Sequence, residues 1–142
     1  MQSSTSFRYS SNWRGHTFHP VLDQGTFESI RRLMKDRFPS IVTKYLQTSH
    51  FYMEQIEKGI ARANPRLIAE NAHPLKSASA TLGLLQVAEL AARLESRSQS
   101  IPPDATDLAG LQPLVNEMYV CLRQAHDEIR RAMSPASEDQ VP

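Results

Sequence analysis

Between residues 20 and 133 apolar side chains return every third or fourth position, and no stretch alternates at the two-residue period of a strand. A chain of this pattern has one way to bury its apolar surface, which is to pack amphipathic helices against one another. Proline marks the breaks. The first helix opens at Asp23, a good N-cap, and carries Phe27, Ile30 and Leu33-Met34 on one side until Phe38-Pro39 interrupts it. A long second helix runs from about Ser40 to Ala63, with Ile41, Tyr45, Phe51-Tyr52, Ile56 and Ile60 as its core stripe. Asn64 caps the third, Pro65 takes its first position, and Gly83 stops it after Leu82. A fourth spans Leu85 to Gln99, with Val87, Leu90, Ala91 and Leu94 inward. Ile101-Pro102-Pro103 ends that pattern, and a last helix covers about Leu111 to Met133. Connectors this short favour an all-α, antiparallel up-and-down four-helix bundle with an additional short N-terminal helix.

The 142 residues fit one domain and suffice for a real core. Residues 1–19 are rich in serine and threonine and read as a flexible arm; residues 20–133 form the domain; residues 134–142 read as a disordered tail. Sixteen basic residues against 15 acidic ones leave a formal charge of +1, which supplies no electrostatic reason to expect nucleic acid or an anionic membrane as partner. The single cysteine, Cys121, cannot close an internal disulfide and suits a reducing compartment. No apolar run reaches the roughly 18 residues that span a bilayer, and no apolar secretory leader precedes the domain. A cytoplasmic location is the expectation.

The third helix carries the chemistry. Ile68, Ala72, Leu75, Ser79 and Leu82 make its inward stripe. His73 lies about 100° around from Ala72, on a strip with Ala69, Lys76, Ser77, Ala80 and Gly83. Apart from His73 and Lys76 every member of that strip is small, so a partner's backbone could come close to the imidazole. Lys76, three residues on, can reach toward whatever is bonded to that ring. A phosphoryl group there would bring about two negative charges, which a nearby ammonium offsets. His73 precedes Gly83 by ten residues and Glu95 follows it by twelve. In an antiparallel hairpin the two fall at nearly one height, where the carboxylate could accept from Nδ1–H and leave Nε2 as nucleophile.

The run A-H-x-L-K-S-x-S-A-x-x-G, present as Ala72-His73, Leu75-Lys76-Ser77, Ser79-Ala80 and Gly83 and followed by Leu94-Glu95, resembles the signature of histidine-containing phosphotransfer (HPt) domains. The likeness extends from about Val21 to Arg131, and includes the run Met34-Lys35-Asp36-Arg37-Phe38-Pro39. It implies a four-helix bundle whose His73 takes a phosphoryl group from the aspartate of one receiver domain and passes it to another. It further implies that Lys76 balances the phosphoryl charge, that Glu95 orients the imidazole, and that Ala69, Ser77, Ala80 and Gly83 leave room for the receiver. Mg²⁺ would come with the receiver, so neither a cofactor nor a metal site is expected in this chain. The implied partners are receiver domains of response regulators and of a hybrid sensor kinase, met by a monomer. Two positions depart from the pattern. Ser77 stands where many members have glycine, and Pro74 removes a backbone donor inside a helix, predicting a kink or a changed projection of His73.

Blander readings compete. A lone histidine on a bundle is usually a surface residue, a lysine beside it a solvated charge, and Glu95 could pair with Arg93 or Arg97. His16-Thr17-Phe18-His19 has a loose metal-ligand spacing without cysteines or carboxylates nearby; His50 and His126 read as exposed or half-buried bundle residues. Arg31-Arg32 with Lys35 and Arg37 forms a basic cluster, either a solvated face or a rim for an acidic partner. Three functions are therefore set against one another. They are a phosphoryl carrier without kinase activity of its own, a non-phosphorylated module that sequesters a receiver or sensor kinase, and an enzyme using His73 as general base. The last is disfavoured by the lack of any predicted pocket, oxyanion donors or cofactor loop. Five scattered glycines do not supply the ATP-binding domain of a histidine kinase.

Overall fold

The computed structural model describes residues 19–134, all of whose regular elements are helical. They are α1 (Gln24–Met34), a 3₁₀ turn (Lys35–Arg37), α2 (Phe38–Ala61), α3 (Pro65–Leu82), α4 (Leu85–Gln99), a second 3₁₀ turn (Ala109–Leu111) and α5 (Gln112–Met133). Helices α2 to α5 form the four-helix bundle: each packs on the next and α5 closes back on α2, with α3 and α4 in the most extensive contact. The short α1 lies across α3 and α2. The expected arm up to residue 18 and the tail from residue 135 lie outside the described residues.

Local chemistry explains most of the boundaries. The Asp23 carboxylate accepts from the Thr26 amide at 3.1 Å, and Asn64 does the same for the Leu67 amide at 3.1 Å, so both helix starts have side-chain caps. Gly83 ends α3 at φ 85°, in the left-handed region. The expected break at Phe38-Pro39 is displaced. It falls at Lys35, where φ is 50°, and Pro39 sits in the first turn of α2. A proline costs little there because its missing N–H would have no intrahelical acceptor. At its other end α2 stops at Ala61, two residues before the expected Ala63, whose own φ is 52°.

The core stripes are partly rotated from those expected. On α2 the buried residues are Phe38, Val42, Tyr45, Ser49, Met53, Ile56 and Gly59, whereas Ile41, Tyr52 and Ile60 pack at the margin and Phe51 points to solvent. On α1, Phe27 is buried but Leu33 is 71 % exposed. Arg31 leaves the basic cluster. Its guanidinium lies 5.3 and 5.5 Å from the ring centres of Phe27 and Phe38 and donates to the Ala132 carbonyl at 2.8 Å, tying α1 to the end of α5. At the crossing of α2 and α3, a Cβ on Gly59 would stand 2.5 Å from Ile68 Cγ1, so these helices approach closely because position 59 has no side chain.

Candidate functional site

Burial of Ile68, Ala72, Leu75, Ser79 and Leu82 fixes the rotation of α3. With those five against the core, His73 is turned outward, and its side chain is 61 % exposed. α3 continues as helix through Pro74, so the imidazole projects from within the helix rather than from a break. On α4, Leu90, Ala91, Leu94 and Ser98 are buried, which sets Glu95 at the seam facing α3 with 13 % of its side chain exposed.

The two-residue turn at Gly83-Leu84 sets the register of this hairpin and brings three charged groups together. His73 Nδ1 lies 2.8 Å from Glu95 Oε2, and Lys76 Nζ lies 2.7 Å from Glu95 Oε1. One carboxylate thus holds both groups, one on each oxygen. The Lys76 hydrogen bond, with support from His73, holds the Glu95 carboxyl below its ordinary range against the opposing effect of burial. An ionised carboxylate only accepts, so Nδ1 carries the proton of this hydrogen bond, and in the neutral ring the lone pair then lies on Nε2. Arg93, one alternative partner for Glu95, instead engages Glu89 along α4.

Around the imidazole, Ala69 is half-buried and Ser77 and Ala80 are exposed. Gly83 does not share that surface. It is buried beneath α1: its carbonyl accepts from the Asp23 amide at 2.7 Å, and a Cβ there would stand 2.8 Å from the Asp23 carbonyl oxygen. The role of docking spacer expected for Gly83 is corrected to that of a helix stop over which α1 is seated. On the other side of His73 the sequence predicts no pocket, yet an open groove of about 970 Å³ lies there. It is walled by Arg62–Arg66 and by Ser98, Gln99, Ile101 and Pro103, with Ala69 and Glu70 between them.

The family of proteins described as the Hpt domain matches residues 40–132, which hold the histidine, the lysine, the hairpin and all four bundle helices. The chain belongs to the Hpt domain family. Its fold is also that of a solved structure, histidine-containing phosphotransfer protein B (HptB) from Pseudomonas aeruginosa PAO1, with a TM-score of 0.70. That likeness covers 80 % of this chain and 94 % of HptB at 17 % identity. No curated protein matches in sequence. Membership gives this Hpt domain a role in histidine phosphotransfer within two-component phosphorelays, and proteins of the family are phosphoryl carriers rather than kinases.

Elsewhere in this Hpt domain two separate polar pairs lie in or beside the core. The buried Tyr45 hydroxyl and Ser79 Oγ are hydrogen-bonded at 2.7 Å, and Ser49 Oγ lies 3.1 Å from His126 Nε2. Burial, then Arg130 and His50, push the His126 pKa below its ordinary value, with Asp127 opposing. His19 pairs with Glu89 at 3.3 Å, and no group of three metal-ligating side chains occurs among the described residues. No described helix is long and apolar enough to cross a membrane. Sequence reasoning missed the Lys76–Glu95 contact and the groove walls. The first had a signal in the hairpin register that also aligned Glu95 with His73. The groove had none, because its walls come from segments about 40 residues apart in the chain.

Proposed function

We propose that this Hpt domain is a phosphoryl carrier whose acceptor is His73. The observation that carries the reading is the hydrogen bond between His73 Nδ1 and Glu95 Oε2. With the proton held on Nδ1, the Nε2 lone pair attacks the phosphorus of an aspartyl phosphate on a receiver domain. The N–P bond forms as the bond from phosphorus to the aspartyl oxygen breaks, and the aspartate leaves as a free carboxylate. Passing the group to a second receiver reverses these events. Glu95 balances the charge that develops on the imidazole, and Lys76, already beside the ring, is placed to turn toward the phosphoryl oxygens.

Mg²⁺ enters with the receiver, and this chain contributes no metal ligand or cofactor to the step. The partners are receiver domains of response regulators and of a hybrid sensor kinase, and one monomer serves them in the cytoplasm. The proposed contact surface consists of Ala69, Ser77 and Ala80, and the burial of Gly83 supports leaving it out. The test is transfer from a pre-phosphorylated receiver to the wild-type chain and to His73→Gln. Acid-labile, base-stable label on wild type alone is the expected result. Label on neither, with binding retained by both, would instead mean a sequestering module, and label on both would place the acceptor elsewhere.

A further inference from the structure

A donor aspartyl phosphate must approach His73 Nε2 to bonding distance, so the receiver straddles this residue. A protein partner of ordinary size covers about 800 Å² on each side of an interface, far more than one imidazole and its small neighbours. The footprint must therefore extend beyond the histidine. Toward Gly83 it takes in the exposed Ser77 and Ala80 and ends where α1 covers Gly83. Toward the start of α3 lies the groove, continuous with His73 and Glu95 and with Ala69 within it. Its far wall presents Ile101 and Pro103, and its near wall begins at Arg62. Arg66, beside it, is paired with Glu70 at 2.8 Å, whereas the Arg62 side chain has no ion pair among the described residues. A groove of mixed lining, with Ile101 and Pro103 on one wall and an unpaired guanidinium on the other lip, suits a protein ridge that is apolar on one flank and carries a carboxylate on the other.

We infer that the receiver docks asymmetrically, seating an acidic-edged apolar ridge in the groove between Arg62 and Ile101, with Arg62 selecting the partner by charge. This inference rests on the phosphoacceptor reading of His73 and adds a residue more than one helical turn removed from the reacting atoms. Arg62 is a positioning residue: it acts on how tightly and which receiver binds, not on the phosphoryl group. Its position in the α2–α3 turn keeps it out of the core, so replacing it leaves the bundle intact.

The test uses the full chain and a panel of purified receiver domains from the same organism, each carrying labelled aspartyl phosphate. Transfer to wild type, Arg62→Glu and Ile101→Asp is followed against receiver concentration. Phosphoramidate, a small donor that needs no docking surface, is run alongside on the same proteins. For the receivers that charge wild type, half-saturation should rise about tenfold in both variants with little change in the maximal rate. The increase for Arg62→Glu should shrink at high salt. Phosphoramidate labelling of His73 should be the same in all three proteins. Unchanged half-saturation in the variants overturns the docking inference while phosphoramidate labelling leaves the acceptor reading standing. So does a wild-type chain that phosphoramidate labels but no receiver on the panel charges. Failure of phosphoramidate to label His73 removes the acceptor reading and the inference with it.

Discussion

Glu95 joins His73 to Lys76: one carboxylate oxygen lies 2.8 Å from the imidazole Nδ1 and the other 2.7 Å from the ammonium. Under the proposed function this pairing orients the imidazole and holds the lysine beside it with a single side chain. It also means that Lys76 is not free in the unphosphorylated domain. For Lys76 to meet a phosphoryl group it must loosen from Glu95, and the new negative charge supplies the attraction.

Removing the carboxylate should therefore disturb both partners at once. In Glu95→Ala, ¹⁵N spectra should show a larger fraction of His73 with the proton on Nε2, the form that cannot attack. Phosphoryl uptake should fall by about tenfold, the scale of one lost orienting hydrogen bond. Lys76→Ala should leave the tautomer in place and shorten the lifetime of the phosphorylated form. A wild-type tautomer ratio in Glu95→Ala would remove the orienting role.

Gly83→Ala should act on stability. The alanine would have to adopt φ 85° and place its Cβ 2.8 Å from the Asp23 carbonyl oxygen. A left-handed alanine costs about 1 kcal/mol, and the clash with α1 adds to it, for a loss of about 2–3 kcal/mol in urea unfolding. Phosphoramidate labelling of the folded protein should be unchanged. A selective loss of receiver binding at full stability would return Gly83 to the docking surface.

Tyr45→Phe deletes a hydroxyl that faces Ser79 Oγ at 2.7 Å in the core. Ser79 is fully buried, so it is left without this partner and without water to replace it. The expected cost is about 1–2 kcal/mol in chemical denaturation. Tyr45→Phe combined with Ser79→Ala should recover part of that loss, since the pair then leaves no orphaned polar group.

Stability should fall in mildly acid solution through His126. Its pKa in the folded chain is lowered chiefly by burial, so the unfolded chain binds the proton more readily. The unfolded state therefore takes up more protons as pH drops below the ordinary histidine value of about 6.5, and stability declines with it until the folded state also protonates. His126→Gln should flatten unfolding free energy between pH 7.5 and 5 relative to wild type. An identical pH dependence in the two proteins would assign it to other groups.

The stripe Ile68, Ala72, Leu75, Ser79 and Leu82 was legible in the sequence because helical period is a local property of the chain, and it turned His73 outward before any packing was known. Caps at Asp23 and Asn64 and the stop at Gly83 were legible for the same reason, since each depends on a residue's own hydrogen-bonding or φ preference. The α2 stripe was not. Several apolar residues ring that helix, and only its neighbours decide that Met53 goes in and Phe51 stays out. Tertiary structure alone seated α1 on Gly83, laid Arg31 against the paired rings of Phe27 and Phe38, and opened the groove beside His73. It also put Lys76 and His73 on one carboxylate. Helix faces follow from spacing along the chain, whereas these contacts join residues distant in sequence, and their distances exist only once the helices have packed.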